Sequence, residues 1–72
     1  MVKRLTPLPF RKVREVLMNN GFQTVSSKGS HHKYKDKFGR TVVVPKHSKD
    51  IPLGTLHDII KRSMLGRDKF FK

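Results

Sequence analysis

The sequence predicts an α+β fold in which a three-stranded antiparallel sheet is covered on one face by two helices. Apolar residues recur with helical spacing near both ends of the chain, and the segment between them is rich in β-branched and aromatic residues. Short loops join the predicted strands, which favours an antiparallel meander. A chain of 72 residues is expected to form a single domain, residues 1–72, in the order α-β-β-β-α.

The first helix is predicted over residues 9–20, after two prolines that stiffen its entry. Gly21 is suited to follow its end, because glycine adopts the left-handed backbone conformation without steric cost. The predicted buried face is one apolar stripe made of Phe10, Val13, Val16 and Leu17.

Three strands are predicted next. Residues 22–26 and His32–Lys35 form the first two, and a turn over residues 36–39 leads to the third. This third strand, Thr41–Val44, has an unbroken run of β-branched residues, which predicts a central and well-covered position before Pro45 ends it.

The second helix is predicted to begin near Pro52 or Thr55 and to end at Gly66. Thr55 and Asp58 have the spacing of a capping pair. The tail, Arg67–Lys72, either adds a turn that packs on the core or frays. The apolar stripe of this helix is predicted to consist of Leu56, Ile59, Ile60 and Met64.

The charge predicts a polyanionic partner. Seventeen Lys and Arg against five Asp and Glu give a net charge of +12, whose self-repulsion opposes a compact state. RNA, DNA, an acidic protein and an anionic membrane all fit such a charge, and a surface that only confers solubility is the alternative. The absence of cysteine excludes a disulfide scaffold, a cysteine-ligated zinc site and a cysteine nucleophile. No apolar run predicts a membrane span or a signal peptide, so a cytoplasmic protein is expected.

Two adjacent histidines open the second predicted strand. Neighbouring strand residues point to opposite faces, so if Tyr34 packs toward the helices, His32 tends inward and His31 points outward with Lys33. A neutral histidine can accept the proton of a ribose 2′-hydroxyl, and cations can stabilise the charge that develops on the phosphate. The candidate cations are Lys28, Lys33 and Lys46. The alternative is that His31 is only a surface residue.

The four histidines of the chain predict no metal site, and no cofactor is expected. Adjacent histidines on a strand cannot easily chelate one ion, and no sequence spacing typical of a metal motif is present. His47, in the loop after the third strand, either contacts phosphate or supplies a second acid or base, or else only hydrogen-bonds nearby backbone. Tyr34 is interpreted as a core residue rather than a base-stacking platform.

Several short motifs together resemble the HicA family of toxins, the RNA-cleaving partners in HicA–HicB toxin–antitoxin pairs. The resemblance covers roughly residues 5–70, and its motifs follow in the family's order and spacing. They are Asn20-Gly21-Phe22, Lys28-Gly29-Ser30-His31 with Tyr34, Val42-Val43-Val44-Pro45 with His47, and Asp50-Ile51-Pro52-Leu53-Gly54-Thr55-Leu56.

The resemblance implies a fold like that of double-stranded-RNA-binding domains, endonuclease activity on mRNA, and inhibition by a HicB-like antitoxin. The family's catalytic histidine follows Gly-Ser, which is His31 here. The expected protein is a monomer when free and part of a hetero-oligomer with its antitoxin. A non-catalytic double-stranded-RNA-binding module and a basic partner of an acidic protein are the rival functions. The residues expected to bind RNA are Lys28, Ser30, Lys33, Lys46 and His47.

Overall fold

In the computed structural model, which describes residues 4–46 and 49–71, two helices lie on one face of a three-stranded antiparallel sheet. The predicted order α-β-β-β-α and the architecture resembling a double-stranded-RNA-binding domain are therefore confirmed. The elements are α1 (Phe10–Asn19), β1 (Gln23–Lys28), β2 (His31–Lys35), β3 (Thr41–Pro45), α2 (Leu53–Ser63) and a 3-10 helix (Arg67–Phe70).

A single core lies between the helices and the sheet. The sheet contributes its largest buried side chain, Tyr34, together with Val42 and Val44, which all point to the same face. Phe70 from the 3-10 helix is fully buried in this core, so Arg67–Phe70 add a packed turn rather than fraying. Within the described residues, neither helix is long and apolar enough to cross a membrane. The helices contribute Val13, Val16, Leu17, Leu56, Ile59 and Ile60.

The end of α1 follows the predicted glycine rule. Gly21 has a φ of 93°, in the left-handed region that a side chain disfavours. The Phe22 amide donates to the Leu17 carbonyl at 3.0 Å, and the Gly21 amide donates to the Met18 carbonyl at 3.5 Å. This is a Schellman motif, and the burial of both Phe22 and Leu17 supplies its usual apolar contact.

The hairpin of β1 and β2 is longer than the sequence predicts. β1 continues to Lys28, and β2 begins at His31, so only Gly29 and Ser30 form the turn. Gly29 has a φ of 55°, and a positive φ at the first central residue alone is the pattern of a type II′ turn. The predicted break over residues 27–30 was too long, because its first residues, Ser27 and Lys28, pair with His32 and His31.

The predicted central position of the third strand is wrong. The strand order is β1-β2-β3, so β2 is central and β3 is an edge strand. Val42 and Val44 are buried, but Val43 between them is 46% exposed. The reason is that both helices cover the same face of the sheet, so a residue of β3 that points to the other face, such as Val43, stays exposed to solvent.

The start of α2 agrees with the sequence prediction, whereas its end and its capping differ from it. Pro52 precedes its first residue, and no side chain caps this end, so the proposed pairing of Thr55 with Asp58 is wrong. Asp58 instead accepts a hydrogen bond from Arg62 at 3.0 Å. The helix ends at Ser63, whose hydroxyl accepts from the Leu65 amide at 3.2 Å.

Met64 does not belong to the buried stripe of α2. It adopts a left-handed conformation, with a φ of 60°, directly after the helix, and its side chain is 71% exposed. The helix therefore ends at Ser63, before Gly66, and Met64 does not extend it. A left-handed residue with a side chain costs about 1–2 kcal/mol, which glycine avoids.

Met64→Gly is expected to raise the free energy of unfolding by up to about 1 kcal/mol, since the relief of left-handed strain exceeds the added flexibility of the unfolded chain. Urea denaturation at neutral pH measures the change. Met64→Ala, which keeps a β-carbon, is the control and should leave stability nearly unchanged. A Met64→Gly variant less stable than the parent would contradict this account of the helix end.

The tip of the β2–β3 hairpin is organised around the carboxylate of Asp36. Its Oδ1 accepts from the Phe38 amide at 3.1 Å and the Arg40 amide at 2.8 Å, and its Oδ2 accepts from Arg40 Nε at 2.7 Å. Partial burial raises the pKa of Asp36, but hydrogen bonds from the Arg40 side chain and backbone outweigh it and hold the pKa below 3.8. The ionised carboxylate is therefore part of the folded hairpin.

The Asp36 network predicts a loss of stability in acid. A depressed carboxyl pKa contributes stability that is present above the ordinary pKa of 3.8 and is lost as the pH falls through the folded-state value. Asp36→Asn should therefore be less stable than the parent at pH 7, and the difference should shrink below pH 3.8. Thermal unfolding of both proteins between pH 2 and 7 tests this, with Asp50→Asn as the control for one lost negative charge. A constant difference across this range would show that the charge of Asp36 does not stabilise the tip.

Candidate nucleic-acid interface

The face of the sheet opposite the helices carries a high density of positive charge. The register aligns its residues in rows across the three strands, and none of them is acidic. A polyanion can therefore approach this surface without meeting a carboxylate on it. This surface is called the outer face below, and it consists of Gln23, Ser26, Lys28, His31, Lys33, Lys35, Thr41, Val43 and Pro45.

His31 lies on the outer face at the start of the central strand. Its side chain is exposed, and its cross-strand neighbours are Lys28 on β1 and Pro45 on β3. Paired residues place their β-carbons about 4.5–5.5 Å apart, and Lys33 lies on the same face about 7 Å along the strand. The exposed His31 imidazole thus has Lys28 next to it on the neighbouring strand and Lys33 next to it along its own strand.

His32 points to the opposite side, as the alternation of strand residues predicts. Its Nδ1 lies 3.2 Å from Ser27 Oγ, and its ring packs edge-to-face on Phe10 with ring centroids 5.0 Å apart. The half-buried His32 therefore joins the central strand to the start of α1. The predicted separation of the two histidines is confirmed, and only His31 is presented on the outer face.

The structure separates the lysines that the sequence groups together. Lys28 and Lys33 share the outer face with His31, whereas Lys46 Nζ lies 5.8 Å from the Phe10 ring centroid, on the helix side. The Lys46 backbone is nevertheless close to the histidine turn, because its amide donates to the Ser30 carbonyl. Ser30 occupies the turn immediately before His31. The predicted contact residue His47 lies outside the described residues.

Tyr34 is a core residue, in agreement with the sequence interpretation. It is 0% exposed, and its hydroxyl has no hydrogen-bond partner among residues 4–46 and 49–71. Burial raises the pKa of the Tyr34 hydroxyl, and the nearby positive charge of Arg14 offsets part of this rise. Tyr34 is therefore unavailable to stack on a nucleotide base.

Lys35 belongs to the same surface, although the sequence motifs do not identify it. It lies two residues beyond Lys33 on β2 and pairs with Gln23 and Thr41 on the outer face. The alternation that separates His31 from His32 also identifies Lys35, provided that the strand is known to continue to this residue. His31, Lys33 and Lys35 thus form one row along the central strand.

A shallow groove lies where the outer face meets α2. Lys33, Thr41 and Val43 line it from the sheet, and Asp58 and Arg62 line it from the helix. The Asp58 carboxylate is engaged by Arg62 at 3.0 Å. Across the described parts of the chain, no group of three or more His, Asp or Glu side chains is arranged to hold a metal ion.

Comparison with known proteins identifies the family. No protein of curated function matches the chain. A protein-family model described as "HicA toxin of bacterial toxin-antitoxin" matches residues 10–65, which is more than half of the chain and includes both helices and all three strands of the sheet. The chain therefore belongs to the HicA toxin family of bacterial toxin–antitoxin systems.

Proposed function

We propose that this toxin is a metal-independent endoribonuclease that cleaves mRNA in the cytoplasm with His31 as the general base. The observation that carries the proposal is an exposed histidine beside Lys28 and Lys33, on a sheet face without a carboxylate. Such a surface combines a proton acceptor with cations that bind phosphate. The family assignment adds a toxin whose action requires control by an antitoxin.

The chemistry follows from these groups. A neutral imidazole nitrogen of His31 accepts the proton of a ribose 2′-hydroxyl, and the 2′-oxygen attacks the adjacent phosphorus. The bond from phosphorus to the 5′-oxygen breaks, and the leaving oxygen takes a proton from water. Lys28 and Lys33 stabilise the negative charge that builds up on the phosphoryl oxygens. The products are a 2′,3′-cyclic phosphate on one fragment and a 5′-hydroxyl on the other.

The remaining cations bind the substrate. Lys35 extends the row of β2, and the Lys46 backbone holds the turn that contains Ser30. Lys46 is proposed to contact phosphates that approach from the helix side of the sheet, where its ammonium lies over Phe10. His47 is also proposed to contact phosphate. With a net charge of +12, much of the affinity comes from release of the counterions of RNA.

The same charge makes the outer face the proposed site of inhibition. A HicB-like antitoxin with acidic side chains would neutralise the lysines and cover His31 in one contact. The free toxin is proposed to be a monomer, and the inhibited form a hetero-oligomer that excludes RNA.

His31→Ala is expected to abolish RNA cleavage while changing stability by less than about 0.5 kcal/mol, since the side chain is exposed and its proposed role is chemical. Gel analysis of a labelled single-stranded RNA measures cleavage, and urea denaturation measures stability. His57→Ala removes another exposed histidine, on α2, and should retain full activity.

Two further results bear on this assignment. His32→Ala should lower stability more than cleavage, because it removes the packing on Phe10 and the hydrogen bond with Ser27. Full cleavage by His31→Ala would remove His31 from the mechanism. Binding of RNA by the parent protein with no cleavage at all would instead favour a non-catalytic RNA-binding module.

A single 2′-deoxy substitution at the cut site should abolish cleavage without preventing binding, because the nucleophile is the substrate's own 2′-hydroxyl. Cleavage of the unmodified RNA should persist in excess chelator, since the proposed base and cations are side chains. End analysis should recover 2′,3′-cyclic phosphate and 5′-hydroxyl groups. Recovery of 5′-phosphate ends, or loss of activity with chelator, would contradict the mechanism even if His31 proved essential.

A further inference from the structure

The tip of the β2–β3 hairpin presents an aromatic ring that the proposed chemistry does not use. Phe38 is 72% exposed, although a phenylalanine side chain gains much by burial. Single exposed apolar residues are common and need no explanation by themselves. Phe38 differs because hydrogen bonds hold its loop in place and two cations lie over its ring.

The loop that carries Phe38 is held in one conformation. The Asp36 carboxylate accepts hydrogen bonds from the Phe38 and Arg40 amides, and the Gly39 amide donates to the Asp36 carbonyl at 3.2 Å. Gly39 has a φ of 85°, which closes the turn with a residue suited to that conformation. A ring on such a loop loses little conformational freedom when a ligand binds, which favours affinity.

Two cations contact the Phe38 ring. Lys37 Nζ lies 5.2 Å from the ring centroid, and Arg40 Cζ lies 5.1 Å from it. Both distances fall within the range of cation–π contacts. The Arg40 guanidinium is also fixed by its ion pair with Asp36 at 2.7 Å. The tip therefore holds two cations over an aromatic ring whose side chain is still 72% exposed.

We infer that Phe38, Lys37 and Arg40 form a second RNA subsite, which stacks one unpaired base on the ring and binds an adjacent phosphate through the two cations. Proteins bind single strands by this combination of aromatic stacking and positive charge. Bases in a duplex are stacked on both sides, so only an unpaired base offers a free face to the ring. The inference rests on the proposed function and assigns single-stranded RNA as its substrate.

The position of the tip relative to His31 supports this assignment. β2 runs from His31 to Lys35, a rise of about 14 Å, and the hairpin tip follows directly. Lys33 and Lys35 point outward between the two sites. An RNA strand that follows β2 thus meets a cation at each outward position between the proposed base and the ring.

An apolar protein partner fits the tip less well. It would have to bury the charge of Lys37 together with the ring without supplying a negative partner, and such burial is costly. A nucleotide avoids this cost, because it brings a phosphate together with its base. The net charge of +12 adds to the attraction for a polyanion.

The test is the affinity of a fluorescein-labelled 12-nucleotide single-stranded RNA, measured by anisotropy with the full chain carrying His31→Ala so that the RNA stays intact. Adding Phe38→Ala should weaken binding by about 5- to 150-fold, the loss expected for one stacked base. Phe38→Leu should weaken it nearly as much, and Phe38→Trp should restore it, because stacking requires an aromatic face. Met64→Ala, a matched control that is 71% exposed at the end of α2, should leave affinity unchanged.

Two additional measurements separate stacking from other roles. Lys37→Ala should reduce the slope of log affinity against log salt by about 0.7, whereas Phe38→Ala should leave this slope unchanged. A blunt duplex RNA of the same length should bind Phe38→Ala as well as it binds the parent. Equal loss of duplex and single-strand binding, or no loss of either, would overturn the subsite.

The outcomes distinguish this inference from the proposed function. If the parent protein cleaves no RNA but Phe38→Ala still weakens single-strand binding, the subsite stands and the nuclease assignment falls. If cleavage depends on His31 but Phe38→Ala binds RNA like the parent, the subsite falls alone. If sedimentation shows that Phe38→Ala disrupts self-association and leaves RNA affinity intact, Phe38 is a contact between copies and the subsite is also refuted.

Discussion

Complete burial of Tyr34 on the central strand determines which side chains the sheet presents to solvent. Tyr34 is the largest of the fully buried side chains, and it packs beneath two helices that cover a single face. Because strand residues alternate between faces, this anchoring sends His32 toward the helices and His31, Lys33 and Lys35 away from them. A shift of one residue in strand register would exchange the two histidines and bury lysines in the core.

The acidic residues are placed where they leave this surface positive. Asp36 organises the hairpin tip through Arg40, Asp58 pairs with Arg62 on α2, and Glu15 lies 3.8 Å from Lys12 on α1. None of these carboxylates lies on the outer face. Because the chain has only five acidic residues, the charge of the outer face depends on where these carboxylates lie. The result is an outer face whose lysines have no acidic neighbour within the sheet, with an exposed histidine at one end of β2 and an aromatic ring in the loop that follows the other end.

The sequence predicts the fold and the orientation of the histidines well, because both follow from periodicity. Alternation about Tyr34 is enough to separate His31 from His32, and the position of Gly21 identifies the end of α1. Periodicity does not show which strand is central, so the β-branched run of β3 wrongly predicts a central strand, whereas β3 lies at an edge. Periodicity also does not show that α2 ends before Met64, because an apolar residue at helical spacing is assigned to the buried stripe. Met64 instead follows the helix in a left-handed conformation.

Part of the candidate site also depends on tertiary contacts that no local pattern encodes. Lys46 follows β3 closely in sequence, yet its ammonium lies over Phe10 on the helix side rather than beside His31. The sequence indicates only that Phe38 lies in a turn, because the Asp36 network and the two neighbouring cations are contacts that only the folded structure shows. Charge and family resemblance point to RNA, whereas the assignment of particular side chains to one surface requires the paired strands.

The central claim is that the outer face of the sheet binds RNA. NMR titration of the ¹⁵N-labelled His31→Ala chain with an uncleaved single-stranded RNA tests it most directly. The account predicts that amide shifts change along β2, in the Gly29–Ser30 turn and at the paired positions of β1 and β3, while the exposed faces of α1 and α2 change little. Shift changes centred on the two helices, with β2 unaffected, would contradict it.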